Sequence, residues 1–383
     1  MLFCAAFAQT SATQNWNFGQ RPFAYTPPAG FLPLHTGNLP DSAIVDGSQY
    51  FDVVLYTGNG TGQSITGLEF QPDLVWGKSK TNVKNHNLYD SVRGVGNMLL
   101  TNGTNDELTG GELTGFTSDG FTLGSNVYQL NASGDSMVAW NWKAGTAFSN
   151  DAGTNGATIA SVGSINQDAG FSVVTYTGNY NGSSGTGTLG HGLNTTPSLI
   201  IIKNRDSAYN WAVGHSSVGW TEGGSLNLPN SFGTSSYFNS TAPTASVFSV
   251  GQSNITNQNL SSHVAYCFAE VEGYSKFGSY TGNGSTDGTF VHLGFRPKFL
   301  LVKCSNGAFD WHITDTSRST YNQADTVLFP NLPNQEANGA GYYYDILSNG
   351  FKCRNLGAAT NGSGYTYIYM AFSENPFKNS LAR

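Results

Sequence analysis

Charge is what this sequence has least of. Asp, Glu, Lys and Arg make up 11% of its 383 residues, less than half of the roughly 25% found in an ordinary globular chain. No Lys/Arg cluster occurs and the net charge is −7, which excludes a nucleic-acid binder that works by neutralising phosphates. Long apolar runs are missing as well. "SLIIIK" and "FLLVK" fall far short of the ~20 residues that a membrane-spanning helix needs, so no membrane insertion is expected. The start, "MLFCAAFAQ", ends like a signal-peptide cleavage site but lacks a basic residue and is too short to be one. The four cysteines are far apart and form no CxxC pair, which leaves neither a zinc cluster nor a disulfide framework; free thiols are the expectation. No segment shows a sustained helical period with caps, so helix should be scarce.

What the chain has is aromatics (13%), 48 glycines, and a surface that Asn, Ser, Thr and Gly must supply. It also repeats itself. "YTGN" occurs at Tyr56, Tyr176 and Tyr280, and each copy is followed in the same order by the same landmarks. Pro72, Pro197 and Pro297 each stand six residues before a lysine (Lys78, Lys203, Lys303), and eight residues later come His86, Trp211 and Trp311. Phe121, Phe248 and Phe351 follow, and then "MVAWNW", "HVAYCF" and "YIYMAF", whose last aromatics lie 21, 20 and 21 residues beyond that Phe. Tyr and β-branched residues favour strands, and Thr-Gly-Asn ends them. The closing strand alternates with period two, so Val138, Trp140, Trp142 and their equivalents Val264, Tyr266, Phe268 and Ile368, Met370, Phe372 form one core-facing set. "LIIIK" reads as a central strand covered on both faces.

Repeats of about 100 residues with short strands and Gly/Asn turns point to an all-β chain of three tandem antiparallel β-sandwich modules, jelly-roll or lectin-like, after a short extended N-terminal segment. A propeller blade is too short to match the period. The expected boundaries are an N-terminal segment 1–47, module 1 at 48–146, a Gly/Ser/Asn linker 147–168, module 2 at 169–273 and module 3 at 274–383.

Two resemblances add to this. "NWNFGQRPFAYTPPAGFLPL" (Asn15 to Leu34), with "LFCAAF" before it, resembles the last strands of a SPRY-type domain. Either the rest of such a domain precedes this chain, or the strand pairs with something else. Residues 50 to 378, through "YTGNG", "GFRPKFLLVK", "LSNGF" and "YIYMAFSENPFK", resemble the repeated β-rich domain of unknown function found in marine and cyanobacterial phage tail-fibre-like proteins. The resemblance implies a virion appendage assembled in the host cytoplasm and displayed on the particle, with other virion proteins as partners. It supplies no catalytic residues. In the first repeat the usual Trp is His86, which puts an identical loop there in question.

Chemistry is hard to find. "GTGTLG" (Gly185 to Gly190) leads into a strand, without the helix N-terminus a pyrophosphate needs. "GHSSVG" is not a nucleophile elbow, and the histidines show no metal spacing. "NGSTDG" (Asn283 to Gly288) has oxygen ligands for calcium but no EF-hand spacing. Glu222, Glu270, Glu272 and Glu336 have no counterparts between copies, so no glycosidase pair stands out. We therefore expect no enzyme, no cofactor and no bound metal. The candidate interface or ligand aromatics are Tyr365, Tyr367 and Tyr369, alternating away from the core set, and Trp211 and Trp311, which are either sugar platforms or core. The expected function is a structural bacteriophage appendage (tail fibre, spike or capsid decoration) for host attachment. The alternative is a module that binds or depolymerises host-surface glycans. A homo-oligomer, most simply a trimer, is expected, against a monomer whose three modules imitate one.

Overall fold

The computed structural model describes residues 44–125, 128–339 and 341–374, and there the chain is all-β. Among the described residues the helices are a single α-turn at Asn254–Asn257 and a 3-10 turn at Gly47–Gln49. The SPRY-like stretch lies outside the described residues.

Four strands recur in each repeat. The opening strands are Phe51–Thr57, Phe171–Thr177 and Ser275–Thr281, and the closing strands are Ser136–Trp142, Ser262–Phe268 and Thr366–Ser373. The lysine strands are Leu74–Ser79, Leu199–Asn204 and Pro297–Cys304, and the outer strands are Asn87–Asp90, Ala212–His215 and His312–Asp315. In all three sheets the order is opening, closing, lysine, outer, every pair antiparallel. The registers agree: Phe51 faces Trp142, Phe171 faces Phe268 and Ser275 faces Phe372.

The stretch 147–168, read from its composition as a linker, is instead part of a sheet. Thr146–Asn150 and Ser161–Asn166 pair with each other, and the latter adds to the free edge of the second opening strand. Gly and Ser there serve close strand approach: a Cβ on Gly163 would stand 1.9 Å from the Val173 carbonyl oxygen.

Each large sheet is buried on both faces. The alternating set of the closing strands, with Trp76, Ile201 and Leu301, joins one apolar core common to all three repeats. The other face of each sheet packs under a smaller sheet that carries Phe121, Phe248 or Phe351, giving three separate cores. Two-sided burial is why the "LIII" that precedes the lysine is apolar at every position. Cys267 and Cys353 are buried in two of these outer cores. Cys304 is a buried strand residue in the third-repeat core.

The "YTGN" motif is a clasp. The hydroxyls of Tyr56, Tyr176 and Tyr280 donate to the carbonyls of Leu130, Thr256 and Thr360 at 3.0, 2.6 and 2.7 Å. The residue after each acceptor is a fully buried asparagine (Asn131, Asn257, Asn361), whose side-chain oxygen takes the backbone N–H of Asn59, Asn179 or Asn283. The motif glycine lets the two loops meet, for a Cβ on Gly58, Gly178 or Gly282 would lie 2.2–2.3 Å from a carbonyl oxygen. Replacing Gly178 with Ala is therefore expected to cost about 1–3 kcal/mol, the usual range for overpacking. Gly233→Ala, at a site with nothing within 4 Å of the new Cβ, should cost under about 0.5 kcal/mol. Urea unfolding of both variants checks this, and equal midpoints would refute the clasp.

Candidate interaction site at the three-way joint

The closing strands end on Trp142, Phe268 and Phe372, whose rings form a triangle with centroid separations of 6.2, 6.2 and 5.9 Å. Around it each repeat grips the next in the same way. Backbone N–H groups of Glu107, Phe232 and Glu336 donate to the carbonyls of Arg205, Ser305 and Lys80, all at 2.8 Å. These bonds run first to second, second to third and third to first, so the ring closes.

The two tryptophans singled out in the sequence lie in this joint, fully buried, and neither is a surface platform. Trp211 Nε1 donates to the Leu100 carbonyl in the first repeat at 2.9 Å, and Trp311 Nε1 donates to Ser225 in the second at 3.0 Å. His86 occupies the third such place, beside the Phe329 carbonyl. Its loop keeps the same form: the backbone N–H of His86, like those of Trp211 and Trp311, donates to an asparagine side chain (Asn102, Asn227, Asn331). The large ring has moved to Trp76, whose Nε1 donates to His86 Nδ1 at 3.1 Å.

The recurrent lysines are completely buried and bind no carboxylate. Lys203 Nζ donates to Asn204, Tyr209 and, across the joint, Thr104; Lys303 Nζ donates to Cys304, Phe309 and, across the next joint, Pro229. Burial brings Lys78, Lys203 and Lys303 each down to about 8. Lys203 and Lys303 are thus strand-to-joint ties made through carbonyls, whereas Lys78 Nζ donates within its own repeat, to the carbonyls of Ser79 and Asn82 at 2.6 and 3.2 Å.

An ion cluster distinguishes two joints from the third. Arg93 pairs with Asp90 at 2.5 Å and Glu107 at 2.8 Å, and Arg318 pairs with Asp315 at 2.6 Å and Glu336 at 3.1 Å. Asp90 also accepts from the Tyr266 hydroxyl at 2.7 Å, and Asp315 from Trp140 Nε1 at 3.0 Å. In the second repeat the corresponding positions are His215, Val218 and Phe232, and the facing ring is replaced by Met370. Where the charges go, so does the polar ring tip that met them.

The tyrosine stripe is likewise not a surface. Tyr367 and Tyr369 are buried under the smaller sheet of the third repeat. Tyr367 stacks on Tyr280 at 4.9 Å, and its hydroxyl donates to the Ala358 carbonyl at 2.6 Å. Tyr365 is half-buried edge-on to Phe309. A sheet covered on both faces makes strand alternation a poor guide to exposure, which is why the reading failed. The "NGSTDG" loop spends its carboxylate, Asp287, on Lys352 and Arg354. Among the described residues no three His, Cys, Asp or Glu gather into a metal set, and no helix is long and apolar enough to cross a membrane.

An open cleft of about 510 Å³ lies beside the joint, lined by Tyr50, Lys143, Thr146, Asn166, Gln167 and Asp168. Lys143 Nζ sits 5.5 Å from the Tyr50 ring centre.

Residues 46–376 match the family described as a domain of unknown function (DUF7483). No curated protein and no solved structure matches the chain.

Proposed function

The chain belongs to the DUF7483 family of domains of unknown function, and from that footing we propose that it is a structural appendage protein of a bacteriophage virion. In this reading three β-sandwich modules close into a ring within one chain, forming a rigid unit of a tail fibre, spike or decoration that meets the host surface alongside other virion proteins. The observation that carries it is the closed set of three joints, which ties the three repeats into one body through buried carbonyl, indole and lysine contacts. The uncharged Asn/Ser/Thr/Gly surface suits a protein that must stay folded outside a cell. Gold-labelled antibody against the purified chain should decorate intact particles; labelling confined to lysed host cells would overturn the assignment.

The expectation of a homotrimer rests on low charge with many aromatics, on the resemblance to phage fibre proteins, and on the tyrosine face and two-sided apolar strands as contact areas; those last two are interior. The ring favours the monomer that imitates a trimer. Light scattering at micromolar concentration should give a mass near the chain's own 40.8 kDa, and a threefold larger mass would restore the trimer.

The cleft beside the joint favours a second reading, a glycan-binding module. Its volume falls within the roughly 300–1,000 Å³ of small-molecule sites, and it combines one aromatic ring with amide, ammonium and carboxylate groups. Host-surface polysaccharide retained by the wild type and released by Tyr50→Ala would support that reading.

A further inference from the structure

We propose that the free edge of the first opening strand, Phe51–Thr57, is a docking site for an extended strand of a partner polypeptide. The inference rests on the comparison of three equivalent edges and is independent of the appendage assignment.

Alternate residues of each opening strand point their backbone groups at the closing strand. The Tyr50 carbonyl accepts from Lys143, and the Gly58 N–H donates to Asp135. Phe51, Val53, Leu55 and Thr57 therefore direct N–H and C=O outward. In the second repeat the same parity holds, with the Gly170 carbonyl accepting from Ala269 and Gly178 donating to Ser261. There the outward groups are met by Ser161–Asn166, with Val162 opposite Thr175 and Ser164 opposite Val173. In the third repeat the outward N–H of Phe277 is met by the Glu270 carboxylate, from the short joint before the strand.

The opening strand of the first repeat matches that of the second at five of seven positions, "FDVVLYT" against "FSVVTYT", without its covering strand among the described residues. Val53 N–H is held by the strand's own Asp52 at 2.5 Å, and the Thr57 carbonyl by Gln63 Nε2 at 3.2 Å. Among the described residues nothing comparable meets Leu55, which is 42% exposed. Its equivalent, Thr175, donates its hydroxyl to the Val162 carbonyl of the covering strand at 3.2 Å. An unprotected run in the middle of an otherwise guarded edge is where strand addition occurs.

The occupied edge also says what fits. The covering strand "SVGSIN" is uncharged, and its Gly163 lies opposite Val174. A Cβ there would press on the Val173 carbonyl, whose first-repeat equivalent is Val53. The partner strand should be uncharged, antiparallel, and have glycine where it crosses Val54.

Hydrogen exchange with a synthetic peptide of residues 157–168 tests this on the full chain. In the chain alone the Leu55 amide should exchange freely while the Thr175 amide is protected. Millimolar peptide should slow Leu55 by roughly tenfold or more, and the same peptide with Gly163→Ala should not. Leu55→Pro removes an outward N–H without breaking the closing-strand ladder, so it should abolish peptide binding, read by calorimetry, and keep the fold. A Leu55 amide already protected without peptide, no slowing with it, or undiminished peptide binding by Leu55→Pro would each overturn the proposal.

Discussion

Taking the protein from about pH 7 to about pH 5 should remove most of its resistance to urea. Five histidines (His86, His191, His215, His263 and His312) are buried, and burial lowers all of them: His191, His215 and His263 to about 4, His312 to about 3, and His86 well below its usual value. The hydrogen bonds give the reason. Nδ1 of His86, His191 and His215 each accepts an N–H, from Trp76, Leu193 and Ser217 at 3.1, 3.3 and 3.1 Å, so a proton arriving there meets a donor. Nε2 of His263 and Nδ1 of His312 are buried with no partner. The unfolded chain protonates near 6.5 and the fold near 4, so the unfolded state binds more protons throughout that window. The stabilisation is whole above pH 6.5 and is progressively lost as pH falls toward the folded values. At pH 5 each group costs about 2 kcal/mol, and the five together approach the whole stability of an ordinary domain. Asp73, raised by burial, opposes this. A urea midpoint unchanged between the two pH values would refute the account.

Arg318→Met should cost about 3–5 kcal/mol, because it strands Asp315, a carboxylate shielded from water, beside Glu336. The second repeat shows how the same joint works without charge. Converting the whole set to its pattern (Asp315→His, Arg318→Val and Glu336→Phe, with the facing Trp140→Met) should recover most of the loss. Replacing a buried ion cluster by packed neutral groups is commonly near neutral, while breaking it is not. Thermal melts of the single and fourfold variants decide the matter. If the single substitution costs under about 1 kcal/mol, the cluster contributes no more than an exposed pair. If the fourfold variant is the less stable of the two, the sets are not interchangeable.

Much of this was legible in the sequence, and the limits have physical causes. The threefold recurrence of the strands and the closing-strand alternation follow from local pattern, because period-two alternation reports which residues share a face. It does not report what lies over that face. The set Val138, Trp140, Trp142 turned inward as expected, but toward a core shared by all three repeats, while the opposite face, with Tyr367 and Tyr369, was covered too. The strands at 146–150 and 161–166 were missed because Gly, Asn and Ser mark turns in most settings, and here Gly163 marks close approach to Val173. The joint was beyond local reading: Trp211 meets Leu100 across 111 residues of chain. One signal was available. Asp90, Arg93, Glu107 and Tyr266 change together to His215, Val218, Phe232 and Met370, and such concerted replacement is what contact across a joint produces.

Fusing the three copies has a consequence for how the ring can diversify. In an assembly of identical subunits any substitution appears at every joint, so a change that is tolerable once must be tolerable three times over. Here one joint has exchanged its charges for a histidine, a valine and a phenylalanine while the other two kept theirs. One opening strand has a cover, another a carboxylate guard, and the third has no cover among the described residues. Covalent linkage makes the three positions separate genetic targets, so one member can take on a new contact while its siblings hold the ring shut.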